Sequence, residues 1–135
     1  MTRLGWIAGS VVLACCAACA GSPPADRDLT PADIAMGKVL YDSNGCAACH
    51  GRDGRGDGPL APTLNPPPRD FMKADSFTKP RTVVEIAELI ARGTPSKPTP
   101  MPAFAHLDLE TRRRLAGYVL SIGGGPAAST TRRDP

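Results

Sequence analysis

The chain has 135 residues, with 16 Lys and Arg against 13 Asp and Glu, which gives a formal net charge of +3. This length allows one domain, and so small a charge excludes the strongly basic surface on which nucleic-acid binding depends. Aromatic residues make up 4% of the chain, and 14 Gly and 15 Pro predict a loop-rich fold with modest helices. A domain of this kind buries little side-chain surface, so we expect a further source of stability.

Residues 1–19 are typical of an export signal. Arg3 supplies a positive start, Leu4–Ala18 is an apolar run too short to span a bilayer, and Ala18-Cys19-Ala20 is a small-residue cleavage pattern. The segment also resembles a bacterial lipoprotein signal, in which a cysteine after small residues becomes lipidated. We therefore expect export to the periplasm and membrane attachment through a lipid on Cys19, in preference to simple secretion.

The five cysteines fall into two groups. Cys15, Cys16 and Cys19 lie in the signal region, where cleavage at either of the first two would leave a very short signal. The other two form one Cys-x-x-Cys pair, so none remains for a structural disulfide, although an exported compartment permits one. Residues 20–29 are small, polar and Pro-containing, which predicts a flexible tether.

The first helix is predicted to begin after Thr30. Thr30 is a good N-cap, Pro31 suits the first helical position, and Asp33 favours the positive helix end. An apolar stripe follows, and Asn44-Gly45 ends the helix and turns the chain.

The next five residues, Cys46-Ala47-Ala48-Cys49-His50, form the attachment signature of c-type haem. Cys46 and Cys49 each add across one vinyl group of the porphyrin, and His50 becomes the proximal iron ligand. A zinc site needs about four ligands and a thioredoxin-like dithiol needs a βαβ setting, and the sequence offers neither. On this motif the chain resembles the class I c-type cytochromes. The resemblance implies an all-α fold over residues 30–123, with three to four helices and long loops around one covalent haem c.

A Pro-x-Leu follows the haem motif in that family, and Pro62 and Leu64 match it here. The resemblance implies that the Pro62 carbonyl accepts a hydrogen bond from Nδ1–H of His50 and that Leu64 packs on the porphyrin ring. Pro59, in a Gly-Pro pair, is an alternative to Pro62.

The glycine-rich run at residues 51–58 lacks the Lys-Ser/Thr of a phosphate-binding loop, so we interpret it as backbone that turns sharply around the porphyrin edge. A stiff proline-rich segment comes next. At its end, Arg69 is expected to pair with a haem propionate, and Phe71 is expected to pack on the haem pocket.

A second helix is predicted over Val83–Arg92. Thr82 and Glu85 have the spacing of a capping box, and Gly93 is a C-cap. The aliphatic side chains of this helix are expected to line the haem pocket and exclude water.

Met101 lies in a proline-rich loop whose Met-Pro-x-Phe pattern resembles the distal loop of the family. We expect Met101 to be the second iron ligand, because a thioether sulfur favours Fe(II) and raises the reduction potential relative to two histidines. Met72 and His106 are alternative ligands.

The last helix is predicted over Leu109–Ile122, with Asp108 as its N-cap. In the related cytochromes the first and last helices cross closely at a glycine, with an aromatic residue nearby, and Gly37 and Tyr41 match that pattern. Residues 124–135 are small and polar, which predicts a disordered tail.

These patterns together indicate an exported, monomeric, one-electron carrier whose partners are a redox donor and a redox acceptor protein. With both axial positions of the iron filled, no site is open to a substrate, so no enzymatic activity is expected. One alternative is a haem c subunit of a larger oxidoreductase complex. Another is a haem peroxidase or gas sensor with a labile sixth ligand.

Overall fold

The computed structural model describes residues 28–73, 75, 77, 82–95, 98 and 100–124. In this part of the chain there are four α-helices and a 3₁₀ turn, namely α1 (Pro31–Ser43), α2 (Cys46–His50), the turn at Ala61–Thr63, α3 (Val83–Arg92) and α4 (Leu109–Ile122). No strand occurs among the described residues, so the predicted all-α class is confirmed. The expected signal at 1–19, the tether up to residue 27 and the tail from residue 125 lie outside the described residues.

The start of α1 combines a cap with an ion pair. Thr30 Oγ1 accepts a hydrogen bond from the Asp33 amide at 3.2 Å, and Asp33 Oδ2 accepts one from the Thr30 amide at 3.0 Å. This reciprocal pair satisfies two amides that a helix start otherwise leaves without partners. The other oxygen of the buried Asp33 accepts a hydrogen bond from Arg114 Nε of α4 at 3.0 Å. The same carboxylate therefore begins α1 and ties it to α4.

The helices α1 and α4 cross at Gly37. A methyl group at this position would overlap the Arg114 carbonyl oxygen and lie 2.9 Å from Tyr118 Cβ. Glycine inside a helix costs about 1 kcal/mol relative to alanine, and here the close approach of two backbones offsets that cost. Beside the crossing, the Tyr41 ring meets the Tyr118 ring edge to face, with centroids 5.3 Å apart. The close crossing expected at Gly37 is confirmed.

Leu29 belongs to the packed domain. It is buried, although the sequence places it in the flexible tether. A methyl group at Gly117 in α4 would meet both Leu29 Cδ1 and Ile34 Cγ1. These two side chains therefore both pack against the surface of α4 at Gly117. They flank the Thr30 cap in the arrangement of a hydrophobic staple, which fixes the direction in which the chain enters α1.

The core lies between α3 and α4 and extends to α1. Its buried members come from all three helices and from one loop residue, and they are Tyr41, Phe71, Ile86, Ala87, Ile90, Leu115, Ala116, Val119 and Leu120. The Thr82 hydroxyl caps α3 by accepting from the Glu85 amide at 3.1 Å. Within the described residues, no helix is long and apolar enough to cross a membrane.

Candidate functional site

The short helix α2 presents the Cys-x-x-Cys-His motif to the interior. Cys46 and Cys49 are half-buried and carry free thiols. The hydroxyl of Tyr41, at the end of α1, donates a buried hydrogen bond of 2.7 Å to the Gly51 carbonyl. Because Gly51 follows His50 directly, this bond fixes the end of α2 against α1. Burial raises the pKa of the Cys46 thiol and also raises that of the Tyr41 hydroxyl, so both stay protonated at neutral pH.

A cavity of about 560 Å³ opens in front of α2. Both thiols and the His50 imidazole line it on one side. Aliphatic side chains of α3 and α4 supply its apolar wall, among them Ile86, Ile90, Leu115 and Val119. This volume lies within the range of about 300–1,000 Å³ that is common for cofactor pockets.

The imidazole of His50 is held by two neighbours. Its Nδ1 lies 3.3 Å from the Arg69 carbonyl oxygen. Because a carbonyl only accepts, Nδ1 carries the hydrogen and Nε2 keeps a free lone pair. The Phe71 ring stacks on the imidazole, with centroids 4.6 Å apart and planes inclined by 25°. Burial lowers the pKa of His50, so the ring is neutral and able to act as a metal ligand at neutral pH.

The hydrogen-bond acceptor for His50 differs from the one that the sequence suggests. Pro62 lies exposed in the 3₁₀ turn, outside the lining of the cavity. The Arg69 carbonyl takes the place expected for the Pro62 carbonyl, because the proline-rich segment folds back along the glycine-rich run. Leu64 lines the cavity, and its packing on a porphyrin ring stays a prediction.

Arg69 and Phe71 both line the cavity. The Arg69 guanidinium carbon lies 5.3 Å from the centre of the Phe77 ring, within the range of a cation–π contact. The pairing of Arg69 with a haem propionate stays a prediction. Phe71 is buried, and its amide donates to the Gly54 carbonyl at 2.7 Å. Gly54 has φ +69°, and a side chain there would collide with the Phe71 ring.

Met101 lines the same cavity as His50 and is half-buried. The alternative ligands lie elsewhere. Met72 is 47% exposed, and His106 is exposed beside Phe104, with ring centroids 6.0 Å apart. Neither of them is part of the cavity wall. Of the three candidates, Met101 is the one that lines the cavity with His50.

Two contributors to the site are missing from the sequence-based set. Phe77 lines the cavity, and its ring makes the cation–π contact with the Arg69 guanidinium. The chain has only three phenylalanines, and the scarcity of large aromatic side chains is the one sequence feature that could have pointed to Phe77 as part of the site. The second is the Arg69 carbonyl, a backbone atom for which no sequence pattern exists.

The donor set and the walls fit a haem c. Two thiols lie three residues apart, a neutral imidazole follows them, and a thioether shares their cavity. Iron in c-type cytochromes takes imidazole and thioether ligands, and apolar walls suit a macrocycle. No group of three or more His, Cys, Asp or Glu that could hold a bare metal ion occurs in the described ranges.

Comparison with known proteins agrees with this geometry. The family profile described as cytochrome c matches residues 34–123. Among solved structures, the chain is similar to one from the Kuenenia stuttgartiensis reducing HAO-like protein complex Kustc0457/Kustc0458, with 32% sequence identity and a TM-score of 0.58. The match covers 69% of this chain and 44% of the other, so the present chain spans less than half of that relative's length. No curated protein matches significantly.

Proposed function

This chain belongs to the cytochrome c family, and from that premise we propose that it is a monohaem electron carrier in which His50 and Met101 are the two iron ligands. The observation that carries the proposal is that both side chains line one cavity, together with the two thiols of a single Cys-x-x-Cys-His motif. When bound there, haem c supplies a one-electron Fe(III)/Fe(II) couple.

The residues around His50 prepare it as a ligand. The Arg69 carbonyl holds the hydrogen on Nδ1 and leaves Nε2 free, which also strengthens the imidazole as a donor. Phe71 restricts rotation of the ring by stacking on its face. Tyr41 fixes the backbone just after the histidine through its bond to Gly51.

The apolar wall and Met101 set the redox character. Ile86, Leu115 and Val119 exclude water from the cavity, which lowers the local dielectric constant. A thioether is a soft ligand that favours Fe(II), so Met101 as a ligand would raise the reduction potential relative to two histidines. If His50 and Met101 both held the iron, no coordination position would be open to a substrate, which would favour an electron carrier over a peroxidase or a gas sensor.

The absorption spectrum of the ferric protein tests the ligand assignment. We expect the weak charge-transfer band of Met–Fe(III) in the wild type, its loss in Met101→Ala and its retention in Met72→Ala, which removes an exposed methionine. The native protein should bind cyanide slowly and weakly in its ferric form, and CO slowly and weakly in its ferrous form. A wild type that lacks the band, or that takes up CO at once at neutral pH, overturns the proposal in favour of a labile sixth ligand.

We further propose that the carrier is exported and anchored in the membrane by a lipid on Cys19. The small residues around Cys19 and the thioether chemistry of Cys46 and Cys49, which bacteria of the related families perform outside the cytoplasm, support this. Wild-type protein should stay with membranes in a salt wash and need detergent for release. Cys19→Ser should release it, and wild-type protein that leaves in salt alone contradicts the anchor.

A second candidate is a subunit of a larger oxidoreductase complex. The similarity to a chain of the reducing HAO-like complex favours it. The chemistry at the haem is the same in both cases, and the difference lies in the partner. Size-exclusion chromatography of detergent extracts distinguishes them, because a free carrier elutes as a monomer and a subunit elutes with its complex.

A further inference from the structure

The backbone of Met101 has an unusual position between two prolines. Because proline has no amide hydrogen, the segment Pro100-Met101-Pro102 contains one N–H donor, that of Met101. Thr94 Oγ1 accepts a hydrogen bond from this donor at 3.0 Å. The Thr94 amide in turn donates to the Met101 carbonyl at 3.1 Å. One residue therefore pairs with both backbone groups of Met101.

Thr94 is attached to the helix that lines the cavity. It lies two residues beyond the last residue of α3. On the other side of Met101, the amide of Phe104 donates to the Ile90 carbonyl of α3 at 2.9 Å. The loop that carries Met101 is thus bonded at Met101 itself to Thr94, just beyond α3, and three residues later to the C-terminal half of α3.

These contacts leave the methionine backbone little freedom. Pro102 restricts the residue before it to extended conformations, and Pro100 has a fixed φ. With its N–H and C=O both bonded to Thr94, Met101 retains freedom chiefly in its side chain. A ligand that is ordered beforehand loses less entropy when it binds, which matters most for a weak donor such as a thioether.

We propose that Thr94 is a positioning residue for Met101, because its hydroxyl fixes the Met101 amide and so presents the thioether to the iron. This inference rests on the proposed His50/Met101 ligation. A substitution can remove the Thr94 hydroxyl but not its backbone N–H. The hydrogen bond from that N–H to the Met101 carbonyl is therefore available to every variant except proline. Thr94→Val is nearly isosteric and leaves the half-buried Met101 amide without its acceptor, whereas Thr94→Ser retains the acceptor.

Imidazole, added as a competing ligand, reports how firmly the thioether is held. We expect Thr94→Val holoprotein to bind imidazole about fivefold more tightly than the wild type, the factor that corresponds to one net hydrogen bond. Its Met–Fe(III) band should be weaker, and Thr94→Ser should behave as the wild type does. Thr63→Val is the matched control, because the exposed Thr63 hydroxyl donates to the Leu60 carbonyl at 2.8 Å, away from Met101.

The possible outcomes separate the two proposals. A wild type without the Met–Fe(III) band refutes the ligation itself. A wild type that has the band, with Thr94→Val and Thr94→Ser binding imidazole equally, overturns the role of Thr94. So does a Thr94→Val protein with a lower unfolding temperature but unchanged imidazole affinity. If Thr94→Val does not mature, Thr94→Ala takes its place in the same titration, with the same two results decisive.

Discussion

The Phe71 ring lies stacked on the His50 imidazole, with ring centroids 4.6 Å apart. The same short segment supplies the Arg69 carbonyl that meets Nδ1 of His50 at 3.3 Å. His50 is therefore held at one nitrogen and on one face by residues about twenty positions further along the chain. The hydrogen bond sets the tautomer, and the stack restricts the plane of the ring.

Phe71→Leu should allow the His50 imidazole to rotate, because it removes the stacked ring, while it keeps the pocket apolar. We expect altered g-values in the electron paramagnetic resonance spectrum of the ferric protein, which depend on the orientation of the ligand planes, and a stability loss of about 1 kcal/mol from the lost aromatic pair. Phe71→Tyr should retain the wild-type spectrum. Phe104→Leu is the control, because Phe104 lines the cavity but pairs with His106. Equal spectral shifts in Phe71→Leu and Phe104→Leu contradict the prediction.

Gly37→Ala should destabilise the fold, although alanine is the better helix former. The added methyl group would overlap the backbone carbonyl of Arg114, and α1 and α4 would have to separate. We expect a net loss of about 1–3 kcal/mol in the free energy of unfolding, measured by urea titration. Gly117→Ala is the comparison, because there the methyl meets the end of the flexible Leu29 side chain. A Gly37→Ala loss no larger than that of Gly117→Ala argues against a tight crossing.

Asp108 should make the stability of the protein pH-dependent in the acid range. The Thr111 amide and hydroxyl each donate to its carboxylate at 2.8 Å, and these bonds lower the pKa of Asp108 below its value of 3.8 in the unfolded chain. The folded state therefore favours the charged form, so the contribution is complete above pH ~4 and is lost as the pH falls through the folded pKa.

Asp108→Asn tests this because asparagine also caps helices but does not titrate. The wild type should have the higher unfolding temperature near neutral pH, owing to the negative charge at the start of α4, and this advantage should be lost as the pH falls through the folded pKa of Asp108. Thermal unfolding followed by circular dichroism measures both proteins in the same buffers. A difference that stays constant throughout the acid range rules out titration of Asp108 as its source.

Protein produced without haem maturation should be largely unfolded. A cavity of about 560 Å³ without its cofactor leaves the surrounding apolar side chains without packing partners, in a domain that buries little other side-chain surface. We expect the apoprotein to show weaker helical circular dichroism and no cooperative thermal transition. The holoprotein, prepared from the same chain, is the control. An apoprotein as helical and as cooperative as the holoprotein would show that the side chains alone suffice.

Local features of the sequence were enough to predict the three long helices with their caps. Thr30, Thr82 and Asp108 each accept a hydrogen bond from an amide three residues ahead, a contact that needs no tertiary structure. Burial of Leu29 was not predictable in this way, because its small and polar neighbours resemble a tether. What buries it is the surface of α4 at Gly117, far away in the chain.

The haem motif and the helix caps follow from the sequence by itself, because thioether attachment requires particular side chains at a fixed spacing and caps act over three or four residues. The resemblance that the motif carries predicted the all-α class and the role of Met101, and the second of these stays a prediction. The tertiary structure decided which atoms complete the site. The carbonyl of Arg69, the ring of Phe77 and the hydroxyl of Thr94 act through positions that depend on how distant loops fold against each other. A backbone carbonyl is present at every residue, so only the path of the chain determines which one reaches His50.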